Sequence, residues 1–353
     1  MFWRRFHSSR ESIGAHWNGV QGLGTKGFTD SVMRPIRPVA LGKGVRKTVT
    51  GGETVLCRHE KTFFNPTVLA ATVASDIDLA VLDNTLKVYN AFQYERVGLN
   101  LRPELLVVKD AGNGADAFAA VAGKIAKESE FNLVLMTEDL AVMRAAVETA
   151  GFKRPLLYAA TAANADEMGA LAKEADLPLA VKADSVEALI PLTEKLTGMG
   201  LKDLVLDSGA REIKQLLEDQ VAMRRAALKA GNKALGFPSI CFPSEMASNI
   251  EMETMIAGML IAKYGGIVVL SDFASESLFP LLLERLNIFT DPQRPMTVTE
   301  GIFEIGNPDE NSPVLVTTNF ALTYFIVSGE IEASKVPTWL LIKDSEGLSV
   351  LTA

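Results

Sequence analysis

The chain has few of the residues that build metal centres and disulfide scaffolds. Its 353 residues include two cysteines and three histidines. Cys57 and Cys241 lie far apart and form no CxxC pair, which argues against a disulfide framework, a zinc site and an iron–sulfur cluster in this chain. Without disulfides, a reducing cytoplasmic compartment is the expected location.

Long apolar runs are also missing. No run in the sequence approaches the roughly 18 residues that predict a membrane-spanning helix, so we expect no membrane partner. The composition is otherwise ordinary for a globular protein, with 48% hydrophobic and 7% aromatic residues. The length allows one large domain with a smaller one, or two domains.

Basic residues are scarce outside the N-terminus. Residues 1–47 contain nine Lys and Arg against two acidic residues, whereas the rest of the chain contains 26 against 41. An acidic body lacks the basic footprint of nucleic-acid binding, so no nucleic-acid partner is expected. The basic, irregular leader has three interpretations: a transit peptide, a disordered tail, or a truncated or misread coding start. The last two are favoured because the leader shows no clear apolar face.

From Val68 onward, short apolar runs alternate eight times with stretches of helical spacing. Continuous apolar strands indicate burial on both faces, as in a parallel sheet, and right-handed crossovers place the helices outside. Eight even units predict an α/β fold with a (β/α)8 TIM barrel over residues 68–290; a doubly wound open sheet is the alternative. The predicted strands are 68–74, 104–110, 131–137, 154–161, 177–183, 203–209, 236–242 and 266–272. The predicted helices are 76–91, 113–128, 139–150, 164–175, 185–198, 210–230, 247–264 and 275–288.

In such a barrel the reactive face lies at the C-terminal ends of the strands. Asp and Ser residues after a strand commonly cap the next helix, and capping is the favoured interpretation for any one of the polar residues found there. These residues are Asp76, Asp110, Asn113, Thr137, Glu138, Asp139, Thr161, Asn164, Lys182, Asp184, Asp207, Arg211, Ser244, Glu245 and Asp272.

A few groups at this face permit sharper hypotheses. Lys182 could form a Schiff base, although an ion pair with nearby acids is favoured. Asp207 and Arg211 are four residues apart and could clamp a polar ligand, although a local ion pair is again favoured. "AGNGADA" (111–117) follows a strand and opens a helix, so it could contact phosphate, but it lacks the glycine spacing of a dinucleotide loop. His59 has no metal-ligand cluster around it and is interpreted as structural.

The segments that flank the barrel are more distinctive. Residues 48–67 contain "FFNP" and predict a plug at the N-terminal mouth of the barrel. A Pro-rich linker (291–312) leads into residues 313–353, which predict the opening of a Rossmann-like α/β unit. The predicted elements of that unit are a strand, a helix and a second strand: 314–318, a helix starting near Asn319, and 337–343.

These flanks resemble a known family. Segments such as "GGETVLCRHEKTFFNPT", "LVLDSGARE", "FTDPQRPM", "NSPVLVTTNFALTYFIVSGEIEASKVPTWLL" and "DSEGLSVLTA" are similar to the large (gamma) subunit of the corrinoid iron–sulfur protein. That protein belongs to the carbon monoxide dehydrogenase/acetyl-CoA synthase (acetyl-CoA decarbonylase/synthase) system. The resemblance extends from about Pro35 to Ala353. It implies a [4Fe–4S] domain, a central TIM barrel and a C-terminal corrinoid-binding domain.

The resemblance also implies a function. The family carries a methyl group on a corrinoid (cobalamin-type) cobalt, as a component of corrinoid-dependent methyl transfer. Cobalt(I) accepts the methyl from methyl-tetrahydrofolate or methyl-tetrahydropterin and passes it to acetyl-CoA synthase. The implied partners are a small (delta) subunit in a heterodimer, a methyltransferase and acetyl-CoA synthase. Because the chemistry belongs to the cofactor, no catalytic side chain is expected.

The family's cofactor contacts correspond to two short segments of this chain. The first segment is the strand–helix turn that contains Thr317 and Thr323. The second is the terminal loop, in which Thr352 would lie near the lower face of the cobalt. The other implied corrinoid contacts in that loop are Gly347, Leu348, Ser349 and Val350.

Two departures from the family pattern set further expectations. The four cluster cysteines are absent, so we expect no [4Fe–4S] cluster in this chain. The sequence ends just after the first corrinoid loop, so the corrinoid domain (313–353) is expected to be incomplete, with weak or absent binding by this chain alone. The rival hypotheses are a stand-alone barrel enzyme, either a pterin methyltransferase or an aldolase using Lys182, and a noncatalytic scaffold for the small-subunit barrel.

Overall fold

The computed structural model describes residues 35–56, 65–96, 99–289 and 296–344. It begins with a hairpin in which β1 (Val39–Leu41) pairs antiparallel with β2 (Thr48–Thr50). The sequence predicts an irregular leader up to residue 47, and β1 corrects that expectation for its last residues.

The hairpin closes the N-terminal end of the barrel. Val39 and Leu41 are fully buried in the same cluster as Val68 at the start of the first barrel strand. The backbone N–H of Gly42 donates to the carbonyl of Arg154, 3.1 Å away, just before another barrel strand. The sequence assigns this plugging role to residues 48–67, whose "FFNP" phenylalanines lie outside the described residues.

Eight parallel strands then form the barrel, and a small two-stranded hairpin, β4–β5, stands outside it. The barrel order is β10-β9-β8-β7-β6-β3-β12-β11, and a bridge between Leu206 and Ser239 joins the first strand to the last. The ring is therefore closed, and the predicted TIM barrel is confirmed. In chain order the eight barrel strands are β3 (Val68–Ala74), β6 (Leu105–Lys109), β7 (Asn132–Met136), β8 (Leu156–Ala160), β9 (Leu179–Lys182), β10 (Leu204–Asp207), β11 (Ile240–Cys241) and β12 (Ile267–Leu270). The separate hairpin consists of β4 (Tyr94–Arg96) and β5 (Leu99–Leu101).

A helix follows each barrel strand, as predicted. Several begin at a capping side chain: Asp78 Oδ1 accepts the Ala80 N–H at 2.8 Å, and Asp139 Oδ1 accepts the Ala141 N–H at 2.7 Å. The helices are α1 (Leu79–Ala91), α2 (Ala115–Glu128), α3 (Leu140–Ala150), α4 (Ala165–Glu174), α5 (Val186–Gly198), α6 (Ile213–Leu228), α7 (Ile250–Ala262) and α8 (Ser275–Phe289).

The barrel has two apolar layers because successive strand residues point to opposite faces. Leu69, Leu106 and Leu133 pack outward against the helices. Their neighbours Val68 and Leu105 point into the barrel, where they belong to the inner cluster. The interior is thus a packed core rather than a pore.

A second, three-stranded sheet follows the barrel, with the order β13-β15-β14. β14 and β15 are parallel, and β13 runs antiparallel to β15. The predicted strand–helix–strand unit is observed, whereas β13 falls within the range that the sequence assigns to a linker. The elements are β13 (Gly301–Ile305), β14 (Val314–Thr318), α9 (Ala321–Ser334) and β15 (Thr338–Lys343).

The two faces of this sheet differ. Leu340 and Ile342 are buried against Ile331 of α9. On the opposite face, Ile302 and Val316 are 66% and 68% exposed and both pair with Leu341. The C-terminal sheet therefore has one covered face and one open apolar face. Within the described ranges, no helix is long and apolar enough to cross a membrane.

Candidate functional site

The turn between β14 and α9 lies beside the end of β15. The Asn319 N–H donates to the Lys343 carbonyl at 2.9 Å, and the Asn319 carbonyl accepts the Val298 N–H at 2.8 Å. Its side-chain Nδ2 donates to Asp344 Oδ1 at 2.7 Å. Asp344 is the last described residue, so this turn adjoins the start of the segment that contains the terminal loop.

Thr317 and Thr323 lie on either side of this turn rather than in it. Thr317 is the fourth residue of β14 and pairs with Ile342, which places it on the sheet face that α9 covers. Thr323 lies in the first turn of α9, and both threonines are half-buried. The structure therefore brings the two onto one side of the sheet at its C-terminal edge.

The remaining residues predicted to contact the corrinoid lie outside the described residues. They are Gly347, Leu348, Ser349, Val350 and Thr352, which stay predictions.

Asn319 also lies at this edge of the sheet, and it is not among the site residues predicted from the sequence. Asn319 is 7% exposed, and its Oδ1 is buried with no hydrogen-bond partner among the described residues. Its place directly after a strand in "VTTNF" is the one sequence signal that could have identified it. In parallel sheets, ligands bind at this edge, outside the carboxyl ends of the strands.

The mouth of the barrel contains a second polar cluster, centred on Asp207. The Tyr158 hydroxyl donates to Asp207 Oδ2 at 2.6 Å, and Arg211 Nη2 lies 3.0 Å from the same oxygen. Arg211 Nε also donates to Glu245 Oε2 at 2.6 Å, and Lys109 Nζ lies 3.1 Å from Glu245 Oε1. The predicted local ion pair between Asp207 and Arg211 is present. It is part of a larger network, whose side chains come from four barrel strands and the loops after them.

Backbone geometry holds Asp207 in place. Gly209 has φ +74, and a Cβ at this position would lie 2.4 Å from the Ala183 carbonyl oxygen. This close approach lets the Gly209 N–H donate to Asp207 Oδ1 at 2.9 Å. Asp207 is 1% exposed and caps no helix, so the capping interpretation is wrong for this residue.

The network shifts the pKa values of its members. Burial, the charge of Asp207 and the hydrogen bond to it all raise the pKa of Tyr158 far above its usual value. Burial opposes the ionisation of Glu245, but hydrogen bonds from Arg211 and Lys109 outweigh it and lower the pKa of that carboxyl. Burial, reinforced by Asp207, raises the pKa of Cys241 to about 12. These shifts favour a protonated Tyr158 hydroxyl, an ionised Glu245 and a protonated Cys241 thiol.

Several other rim residues also make side-chain contacts. Lys182 Nζ lies 2.6 Å from Glu138 Oε1, as the favoured ion-pair interpretation predicts. Asp110 Oδ2 accepts from the Thr137 hydroxyl at 2.8 Å, and Asn113 Nδ2 donates to the Ser75 carbonyl at 2.9 Å. Of the predicted caps, Asp139 is confirmed. In the described part of the chain, no group of three or more His, Cys, Asp or Glu residues could hold a metal ion.

Comparison with known proteins gives the chain a family. A family model described as the CO dehydrogenase/acetyl-CoA synthase delta subunit matches residues 38–353. The corrinoid/iron–sulfur protein large subunit of Moorella thermoacetica is 41% identical over 319 residues, which cover 90% of this chain and 71% of that protein. The chain belongs to the corrinoid/iron–sulfur protein large-subunit family.

Archaeal relatives agree with this assignment. The acetyl-CoA decarbonylase/synthase complex subunit gamma of Methanopyrus kandleri is 33% identical over 328 residues, covering 90% of this chain and 70% of the relative. A gamma 2 subunit from Methanosarcina thermophila is 34% identical over 332 residues, with the same coverage of both chains. The relatives are thus large or gamma subunits, although the matching family model has a delta-subunit description.

Solved structures with a similar fold include dihydropteroate synthases. The enzyme from Vibrio fischeri ES114 gives a TM-score of 0.47 at 14% identity, covering 64% of this chain and 95% of the other. A dihydropteroate synthase from Coxiella burnetii in complex with pteroic acid gives 0.45 at 13% identity, covering 66% and 99%.

Proposed function

We propose that this chain is the corrinoid-carrying large subunit of a methyl-transfer complex. The proposal is supported by membership of a family whose curated relatives are named corrinoid/iron–sulfur protein large subunits and acetyl-CoA decarbonylase/synthase gamma subunits. The single structural observation that carries it is the junction of the β14–α9 turn with Asp344 at one sheet edge. The junction supports the proposal because Asp344, which lies beside the β14–α9 turn, directly precedes the predicted terminal loop in the sequence.

The side chains at this edge fit a corrinoid in part. A corrin ring is a flat macrocycle with amide side arms, which both donate and accept hydrogen bonds. Thr317 and Thr323 offer hydroxyl groups, and Asn319 offers an amide whose buried Oδ1 lacks a partner among the described residues. No histidine occurs in residues 313–353, so this segment would seat the ring through hydroxyl, amide and backbone groups.

The bound corrinoid would supply the chemistry, as a cobalt(I) nucleophile that accepts a methyl group from methyl-tetrahydrofolate or methyl-tetrahydropterin for transfer to acetyl-CoA synthase. The residues of this chain would bind and orient the ring. Thr317 and Thr323 would hold its side arms, and the loop of Gly347 to Thr352 would lie under it.

We propose that the partner is a small corrinoid-protein subunit. The C-terminal unit exposes large apolar side chains on the open face of its sheet and on the outer face of α9. Exposed apolar surface on the two sides of a small unit is typical of protein–protein contact. The residues concerned are Ile302, Val314, Val316, Leu322 and Ile326.

The residues present do not fit an iron–sulfur cluster. A [4Fe–4S] centre takes four cysteine thiolates, and this sequence contains two cysteines. Cys241 is fully buried, and burial raises the pKa of its thiol to about 12. No step of the proposed function therefore involves a cluster held by these 353 residues.

We infer that the barrel acts as a platform rather than as a separate enzyme. Its mouth is occupied by the ion pairs of Arg211 and by the ring of Tyr158, which packs edge-on against Phe242. Lys182 is paired with Glu138 instead of lying in an apolar pocket, where a Schiff-base lysine is activated. Borohydride reduction in the presence of carbonyl substrates should leave Lys182 unmodified; a trapped adduct would revive the aldolase hypothesis.

Cobalamin retention tests the main proposal. The chain co-expressed with a corrinoid-protein small subunit should elute from gel filtration with the visible absorbance of a corrinoid. Thr317→Val should weaken retention by about 1 kcal/mol, since one hydrogen bond is lost. Thr318→Val is the matched control, because alternation along β14 places Thr318 on the opposite sheet face. A colourless heterodimer from the unmodified chain would refute the proposal and favour a noncatalytic scaffold.

A further inference from the structure

The C-terminal unit contains a groove between β13 and α9. Its volume is about 510 Å³, which is within the range of ligand-binding clefts. Residues 303–306 of the strand and its end form one wall, and α9 forms the other. The helix contributes a stripe with the spacing i, i+3, i+4 and i+7, which places its members on one face. These members are Phe325, Ser328, Gly329 and Glu332.

Three aromatic rings line the groove in a row. The ring centroids of Phe303 and Tyr324 are 5.4 Å apart, and those of Tyr324 and Phe325 are 5.6 Å apart. Phe303 and Tyr324 are half-buried, and Phe325 is 41% exposed. The groove therefore presents aromatic surface to water, and such surface is favourable for the burial of apolar side chains from a partner.

Gly329 keeps part of the groove open. A Cβ added at this position would meet no atom of the rest of the protein within 4 Å, and the backbone of Gly329 does not adopt a left-handed φ. The helix thus does not require glycine here for its conformation, and glycine is an unfavourable residue within a helix. What the missing side chain does provide is free space beside the aromatic row.

The groove follows the backbone edge of β13. This strand is the outer strand of the described three-stranded sheet, whose order is β13-β15-β14. Consecutive residues of β13 line the groove, although successive side chains of a strand point to opposite faces. An outer strand also directs backbone N–H and C=O groups away from its sheet, and an extended peptide can pair with such groups as an additional strand.

Glu304 places a negative charge beside this edge. It pairs with Trp339 in the ladder between β13 and β15, so its side chain points to the open face of the sheet, and it is exposed. The described ion pair of this sheet joins Lys343 to Glu300 and does not involve Glu304. A strand added to β13 would direct alternate side chains into the groove and toward Glu304.

We propose that the groove between β13 and α9 binds an extended segment of a partner protein in which apolar and basic residues alternate. The segment adds to the outer edge of β13 as a further strand. Its apolar side chains enter the groove against Phe303 and Phe325, and its basic side chains lie beside Glu304. This site uses the edge of the sheet opposite to β14, and the inference does not depend on corrinoid binding.

Fluorescence anisotropy with the full chain, without cofactor, tests the proposal. The probe is a fluorescein-labelled heptapeptide in which valine and arginine alternate, and it should bind. The same peptide with glutamate in place of arginine should bind about tenfold more weakly or worse, because like charges would then face each other. Failure of the valine–arginine peptide to bind, or equal affinity for the glutamate peptide, would overturn the proposal.

The backbone of the probe tests strand addition. Alternate amides of an added strand face β13, and the others face solvent. N-methylation of one alternate set of peptide nitrogens should therefore abolish binding, whereas N-methylation of the other set should be tolerated. Tolerance of both modifications would overturn the pairing with β13.

Gly329→Leu tests where the peptide binds. The added side chain would occupy the groove, and leucine favours a helix more than glycine does. The circular dichroism spectrum should therefore be retained, while affinity for the valine–arginine peptide falls about tenfold or more. Gly198→Leu is the matched control, because a Cβ added to this residue of α5 also meets no atom within 4 Å. Equal affinities of the two variants would overturn the assignment of the site.

Glu304→Gln tests the charge. Affinity for the valine–arginine peptide should fall about threefold, whereas Glu310→Gln, which removes an exposed charge from a turn of the same unit, should leave it unchanged. Equal losses would overturn the role of Glu304. Sedimentation of the unmodified chain identifies the other occupant: a dimer that Gly329→Leu converts to a monomer would place a second copy in the groove and overturn the proposal of a partner protein.

Discussion

Tyr158 and Asp207 are joined by a 2.6 Å hydrogen bond across the mouth of the barrel, although 49 residues separate them in the chain. Tyr158 comes from β8 and Asp207 from β10, so the bond spans the intervening strand β9. Arg211 Nη2 lies 3.0 Å from the same carboxylate oxygen. The centre of the barrel mouth is thus cross-linked by polar contacts.

Removing the Tyr158 hydroxyl should destabilise the barrel. Tyr158→Phe removes one of the two donors to a buried carboxylate oxygen, and we expect a loss of about 1–3 kcal/mol in the free energy of unfolding. Urea denaturation measures this loss. Tyr94→Phe is the matched control: the Tyr94 hydroxyl is buried without a partner among the described residues, so its removal should be neutral or stabilising. Equal losses in both variants would contradict the role of the bond.

Glu245 should contribute to stability in a pH-dependent way. Its pKa is lowered in the folded protein, so its contribution is fully present above the unfolded pKa of about 4.3 and is lost as pH falls through the lower folded value. In Glu245→Gln, the free energy of unfolding should therefore decrease less as the pH is lowered from about 5 to about 3. Glu194→Gln, on the exposed face of α5, should leave this pH dependence of the free energy of unfolding unchanged. Denaturation midpoints measured at several pH values test this.

Cys241 should resist alkylation in the folded protein. Its pKa is raised to about 12, so almost no thiolate forms at pH 8, whereas an unfolded cysteine with a pKa of about 8.5 ionises partly. In a Cys57→Ser background, iodoacetamide labelling followed by mass spectrometry should be slow in buffer and fast in urea. Rapid labelling in buffer would show that the thiol is accessible.

Arg285 should be important at the opposite end of the barrel. It is buried and donates to Glu104 at 2.8 Å and to the carbonyls of Thr67 and Arg102 at 3.0 Å each. Arg285→Met removes the donor to both carbonyls and the cation that pairs with Glu104, and it should cost about 3 kcal/mol or more. Lys195→Met breaks an exposed pair with Asp166 and should cost less than about 1 kcal/mol. Comparable losses would contradict the importance of burial.

The regular part of the fold could be predicted because its signal is local. β3 was expected at 68–74 and is observed as Val68–Ala74. β11 is shorter than its predicted range, at two residues, because Pro238 and Pro243 flank it and proline cannot donate to a ladder. β13 was missed because the alternation in "GIFEI" is short and follows a Pro-rich stretch.

The candidate site was harder to predict because its contacts are not local. Asp207 and Arg211 are close in sequence, and their ion pair was foreseen. Tyr158 and Glu245 join them only when four strand ends meet, and neither the spacing nor the residue type of Tyr158 indicates this. Asn319 was noted as a helix start, whereas its bond to Asp344 depends on β15 lying beside β14.

The closure of the barrel has a consequence for the order of folding. β3 pairs with β12, and the Thr72 hydroxyl donates to the Leu270 carbonyl across 198 residues of chain. Contacts of such long range form slowly, because a large loop must close before they can stabilise the protein. While the chain is being synthesised, β3 must wait for β12 with one edge unpaired. We expect this interval to be when the nascent barrel most needs protection from aggregation.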